Sequence, residues 1–203
     1  MSASSHRARR APLASLALLL AVAMLALAAC DDVAIVEDQT TGRFSPNEYA
    51  RDAALGPIPV TILGSALGAG DERLAAAVMD EMRNADWAPH ASFVLAPADE
   101  MARAAATAGG GRMYSYVLMF NGPANVTAAA LCARKPLPPA TAAGNGNGSG
   151  IRLVAGLCRN DEIATAVTGR AYRVSGFDDD RFHRLIVGVM QTLTRPNQPQ
   201  INR

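Results

Sequence analysis

The sequence predicts an α+β domain: a two-layer sandwich in which a mixed, mainly antiparallel sheet packs against two or three helices. Three observations predict it. Strand and helix patterns alternate from Ile58 onward, two strand-like runs flank the tight turn Asn160-Asp161, and an amphipathic helix closes the chain.

Each element follows from local pattern. Ile58-Pro59-Val60-Thr61-Ile62-Leu63 reads as a first strand that stops at the turn containing Gly64, Gly68 and Gly70. Residues 71–85 open with Asp71 and Glu72 and set Leu74, Ala75, Val78 and Met82 on one side, which predicts a helix. Residues 91–96, with Phe93-Val94-Leu95, form a short second strand, and Pro97-Ala98-Asp99 starts an alanine-rich helix that ends at Gly109-Gly110-Gly111. Residues 113–121 are too apolar for a strand with one face in water and predict a central strand. Residues 125–134 fit a strand or a turn of helix. Pro138-Pro139 and the glycine-asparagine run mark 136–150 as a flexible surface loop. A strand at 151–158 and an antiparallel return at 163–174 follow. The helix at 178–193 then places Phe182, Leu185, Ile186, Val189, Met190 and Leu193 on one stripe, with Pro196 beyond its end. These elements delimit one domain, 58–194, long enough for a proper core, followed by a disordered tail at 195–203.

The N-terminus has a different character. Arg7, Arg9 and Arg10 precede a run of uncharged, mainly aliphatic residues that closes on Leu27-Ala28-Ala29-Cys30. That arrangement resembles the lipobox of bacterial lipoproteins. The resemblance covers the first thirty residues and implies a signal peptide, 1–29, removed before Cys30, whose sulfur carries a diacylglyceryl group; an added acyl chain such as palmitate completes the anchor. An uncleaved membrane span is the alternative, since the run is long enough to cross a bilayer. Asp31 is similar to an inner-membrane retention signal, and the choice of inner or outer membrane stays open. Residues 30–57 mix acids, Gln-Thr-Thr-Gly and Ser45-Pro46-Asn47 with little apolar periodicity, and are expected to form a flexible tether reaching roughly 25–30 Å.

Removing 1–29 leaves 174 residues, sixteen basic against eighteen acidic, with Lys135 the one lysine. A formal charge of −2 provides no footprint for nucleic acid. Cys132 and Cys158 in an oxidising compartment are expected to form a disulfide; two buried thiols are the alternative.

Few residues suggest chemistry. Asp178-Asp179-Asp180 with His183 could hold a divalent cation from one helix face, but acids at a helix start are more simply caps. His90 beside Trp87 and Pro89 could be a general base but has no partner marked by spacing, so it is read as loop packing. Asp80 and Glu81 are read as solvent-facing. Gly64-Ser65-Ala66-Leu67-Gly68 and Gly68-Ala69-Gly70 match neither the phosphate-loop nor the dinucleotide pattern, so no nucleotide is expected. The sequence contains no G-x-S-x-G, H-E-x-x-H or C-x-x-C motif. The expectation is therefore a non-catalytic, lipid-anchored adapter or accessory subunit facing the periplasm, with no cofactor and no metal, whose partners are the membrane and another envelope protein. The alternatives are a module binding a small molecule or peptide near the Gly64–Gly70 turn and, third, a hydrolase using His90 or Asp179 and His183.

Overall fold

A computed structural model of the chain describes residues 33–40, 44–69, 71–85, 91–96, 113–133 and 150–194. The expectations for 1–29, Cys30, Trp87, His90, the helix after Pro97, the tail at 195–203 and all but the last residue of the loop 136–150 lie outside them. The elements in order are β1 (Val33–Thr40), α1 (Pro46–Ala54), β2 (Ile58–Gly64), α2 (Asp71–Ala85), β3 (Phe93–Leu95), β4 (Tyr114–Phe120), α3 (Ala128–Cys132), β5 (Ile151–Arg159), β6 (Glu162–Ala171) and α4 (Asp180–Thr194).

Six strands form one sheet in the order β1-β6-β5-β4-β2-β3. The β1/β6, β6/β5 and β5/β4 pairs are antiparallel, and β4/β2 and β2/β3 are parallel, so the sheet is mixed and mainly antiparallel as the pattern predicts. The apolar run of β4 is central, and all seven of its residues are buried. Alternation sends Tyr116, Leu118 and Phe120 to one face and Val117 and Met119 to the other.

The first face carries the main core. Leu74, Val78 and Met82 of α2 pack there beside Phe182, Leu185, Ile186, Val189, Met190 and Leu193 of α4, against Val60, Leu153, Leu157 and Val167 of the strands. Each such side chain, fully buried, contributes on the order of 1.5–3 kcal/mol. Contact between α4 and β6 is close at Gly169, where a Cβ would fall 2.5 Å from Leu185 Cδ1 and 2.9 Å from Val189 Cγ2. The second face carries α3, which buries Ala128, Leu131 and Cys132 against Val117, Met119, Val154, Cys158 and Ala166. Thr127 caps α3, its side chain accepting from the Ala130 N–H at 3.3 Å, which settles a segment that read equally as strand or helix. Cys132 and Cys158 are disulfide-bonded, with Cα atoms 5.4 Å apart, and fasten α3 to β5.

The tether expected at 30–57 requires correction. From Val33 the chain is already a strand, paired with β6 from Val33↔Ala171 to Thr40↔Thr165, with an irregularity between Glu37 and Gln39. It then forms α1. Ser45 is the N-cap, its Oγ accepting from Glu48 N at 3.4 Å, with Pro46 in the first turn. The physical reason for the misreading is that α1 docks mainly through polar and aromatic groups rather than an aliphatic stripe. Tyr49 is fully buried and its hydroxyl lies 2.7 Å from that of Tyr116. Asp52, 2% exposed, accepts from Met113 N at 3.1 Å and Tyr114 N at 2.9 Å, satisfying the amides at the start of β4.

Removing that carboxylate would leave two amides unpaired in a buried place. Asp52→Ala is therefore expected to lower unfolding free energy by about 2–4 kcal/mol, and Asp52→Asn, which keeps one acceptor, by less. Urea unfolding followed by circular dichroism checks this; equal midpoints for Asp52→Ala and wild type would show that the carboxylate bonds contribute nothing net.

Candidate functional site

The acids and histidine singled out in the sequence lie at the start of α4 and on the facing turn of α2. Asp179 stands just before α4. Its Oδ1 accepts from Arg181 N at 2.9 Å, while Oδ2 accepts from Ser175 N at 2.9 Å and Ser175 Oγ at 2.8 Å and lies 3.3 Å from the Arg181 guanidinium. Both oxygens are thus engaged in closing the turn and capping the helix. Those backbone N–H groups, first that of Ser175 and then that of Arg181, with the Ser175 hydroxyl, hold the carboxyl well below the usual carboxylate range.

The His183 ring does not join the Asp179 carboxylate, although the His183 N–H donates to the Asp179 carbonyl at 3.2 Å. Its Nδ1 lies 2.5 Å from Glu81 Oε2 on α2, an ion pair across the helix layer when the ring is protonated. Glu81, read from sequence as solvent-facing, is only 18% exposed at its side chain. The pairing was not legible because it joins residues 102 apart in sequence, and helical spacing reports only neighbours on the same helix. Asp180 pairs with Arg184 at 3.0 Å and Asp80 with Arg83 at 3.4 Å, both along their own helices. Among the described residues no group of three or more His, Cys, Asp or Glu side chains is placed to hold a metal ion.

Because the Asp179 carboxyl titrates lower in the fold than in the unfolded chain, its stabilising effect is complete above the unfolded value, near 4, and is lost as pH falls through that range toward the folded value. Asp179→Asn should accordingly weaken the protein at pH 7 more than at pH 3. Urea midpoints of both proteins at the two pH values test the sign; a gap that widens on acidification contradicts it.

The glycine turn after β2 is held by its neighbours. Gly64, Leu67 and Gly68 have positive φ, and Asn121, itself at φ 49°, donates from Nδ2 to Ser65 O at 3.0 Å and accepts at Oδ1 from Arg152 N at 2.9 Å. Arg152 donates in turn to the carbonyls of Gly122 at 3.3 Å and Pro123 at 3.2 Å. One asparagine thus ties the ends of β2 and β4 to the start of β5.

Sequence reasoning missed an aromatic cluster at the opposite end of the sheet. Phe44, Tyr49, Tyr114, Tyr116 and Phe93 meet in tilted or edge-on pairs with centroids 5.6–6.4 Å apart. The Tyr114 hydroxyl accepts from Ser45 N at 3.3 Å, and burial pushes its phenol above the ordinary value. Glu48 and Arg159 close the cluster with an ion pair at 3.1 Å. Five aromatic residues spread over 73 positions carry no common period, so no local signal could have gathered them.

The exposed apolar surface lies elsewhere. Val94 and Leu95 are 47% and 48% exposed on β3, an edge strand that pairs with β2 alone among the described strands. Leu55 and Tyr172 are the other large exposed apolar side chains among the described residues. No helix of the described residues is long and apolar enough to cross a membrane.

No protein-family model and no curated relative matches the chain. Among solved structures it is similar to the PelC dodecamer from Paraburkholderia phytofirmans in space group P6, at 11% identity and TM-score 0.46 over 81% of this chain and 99% of that one. A leucine-to-methionine variant of the PelC dodecamer from the same organism, in space group C2, gives 12% identity and TM-score 0.42 over 80% and 96%.

Proposed function

We propose that the chain is a non-catalytic accessory lipoprotein of the bacterial cell envelope, anchored through Cys30, facing the periplasm, and serving another envelope protein as adapter. The observation that carries this reading is the β3 edge. Val94 and Leu95 are exposed apolar side chains on a strand that pairs with β2 alone among the described strands, the feature to which a partner adds by strand pairing or apolar contact. Two further observations support it. The Cys132–Cys158 bridge belongs to an oxidising compartment. Asp179 and His183, one of the two places named for a hydrolase, His90 being the other, are bound into a helix cap and an interhelical pair.

The test places a photoreactive amino acid at Val94 or at Leu95 in cells. A single envelope protein crosslinked at either position, and lost in the Cys30→Ser variant, is the expected result. Adducts with a second copy alone, or none, would overturn the adapter reading. The same Cys30→Ser variant should fail to incorporate labelled palmitate and accumulate as precursor; normal processing and full membrane retention would remove the anchor.

A further inference from the structure

The geometry points to one end of the sheet as a membrane-contacting surface, resting through Tyr172, Arg170 and Arg173 on phospholipid headgroups. This inference rests on the reading of Cys30 as the lipidated residue. Val33, three residues later, is already paired with Ala171 of β6. A fully extended chain covers at most about 3.6 Å per residue, so the end of β1 stays within about 11 Å of the lipid-bearing Cα. That is of the order of a headgroup layer, about 5–8 Å on each side of the hydrocarbon core. A domain leashed so closely cannot stand clear of the bilayer, and the end holding Val33 is the end that meets it.

The strand register states what else lies at that end. Val33, Ala171 and Ile151 are level across β1, β6 and β5, and Gly64 and Phe120 lie level at the ends of β2 and β4. Just beyond Ala171 comes Tyr172, 49% exposed, its ring passing beside Gly150. Arg170 and Arg173 flank it and are exposed. A tyrosine with an apolar ring and a polar tip suits the headgroup boundary, and arginines near an anionic surface are attracted to it. Among the described residues, the acids of the same end belong to the helix layer. Asp179 is saturated by Ser175 and Arg181, and Asp180 is paired with Arg184. Glu72 and Asp178 lie in that layer too. Contact is therefore made through the β1-β6-β5 corner, which the anchor itself joins. Leu55, 63% exposed after α1, lies at the far end, where β2 begins.

The experiment uses the full lipidated protein in vesicles of phosphatidylethanolamine and phosphatidylglycerol with brominated acyl chains. Mass spectrometry first establishes the diacylglyceryl group on Cys30; its absence defeats the anchor reading and is seen separately. With Cys30 acylated and Cys132 bridged to Cys158, an introduced thiol is uniquely reactive. Tyr172→Cys, Arg173→Cys and Leu55→Cys each receive a polarity-sensitive fluorophore. Quenching at positions 172 and 173 should exceed that at 55 by about threefold or more, given bromine's short range and the separation of the two ends. Equal quenching at the two ends, or more at position 55, in a protein shown to be lipidated would overturn the orientation.

Discussion

Gly64→Ala is expected to keep the domain from reaching its native state, or to cost on the order of 4 kcal/mol or more. Gly64 ends β2 with φ +77°, and a Cβ there would lie 2.0 Å from the carbonyl oxygen of Phe120. That oxygen belongs to the backbone of β4, a fully buried strand, so it cannot swing aside as the tip of a surface side chain could. The left-handed backbone alone costs an alanine about 1–2 kcal/mol, and relieving the clash requires parting β2 from β4 at their paired ends. Gly68 provides the control. It has φ +65° but open space around its Cβ position, so Gly68→Ala should show only the smaller backbone cost. Soluble yield, far-ultraviolet circular dichroism and urea unfolding report both variants. A Gly64→Ala protein with a wild-type midpoint would mean that the ends of β2 and β4 separate at almost no cost.

The second large effect is expected when Cys132 and Cys158 are both replaced by serine. Their bridge spans 26 residues of sequence, and a loop of that size constrains the unfolded chain by about 3–4 kcal/mol. Beyond that, α3 has five residues, too few to persist without tertiary support. Freed from the bridge, it keeps only Ala128, Leu131 and its neighbours on the second face. The double variant should unfold at lower urea than the oxidised protein and respond no further to reductant, whereas the wild type with reductant should approach the variant. Coincident curves for oxidised wild type and double variant would show that packing alone holds α3.

Where apolar residues recur with one period, the sequence was easily read. The stripe from Phe182 to Leu193 and the solid apolar run of β4 located α4 and the centre of the sheet, because burial of a face requires those periods. What eluded the reading lay where polar groups organise the chain. Ser45 and Glu48 stand at the spacing of a capping box with Pro46 between them, a helix-start signal that is present in the sequence but that no aliphatic stripe follows. The helix is instead recruited by Asp52 and Tyr49, whose partners lie more than sixty residues away in sequence. Of the site candidates, the spacing of Asp179 at the helix start did express its role as a cap. The partnership of His183 with Glu81 is visible only once two helices lie side by side.

The place of β1 at the sheet edge also has a mechanical meaning. If Cys30 carries the anchor, as proposed, a pull on it along the sheet would enter at Val33 and load β1 along its axis. The bonds joining β1 to β6, from Val33↔Ala171 to Thr40↔Thr165, are then loaded side by side, in shear, instead of one after another as in peeling. On the proposed anchoring through Cys30, tension between the membrane and whatever holds the domain would be shared along the whole strand, and the join between lipid and fold would be a stiff bracket in place of a slack leash.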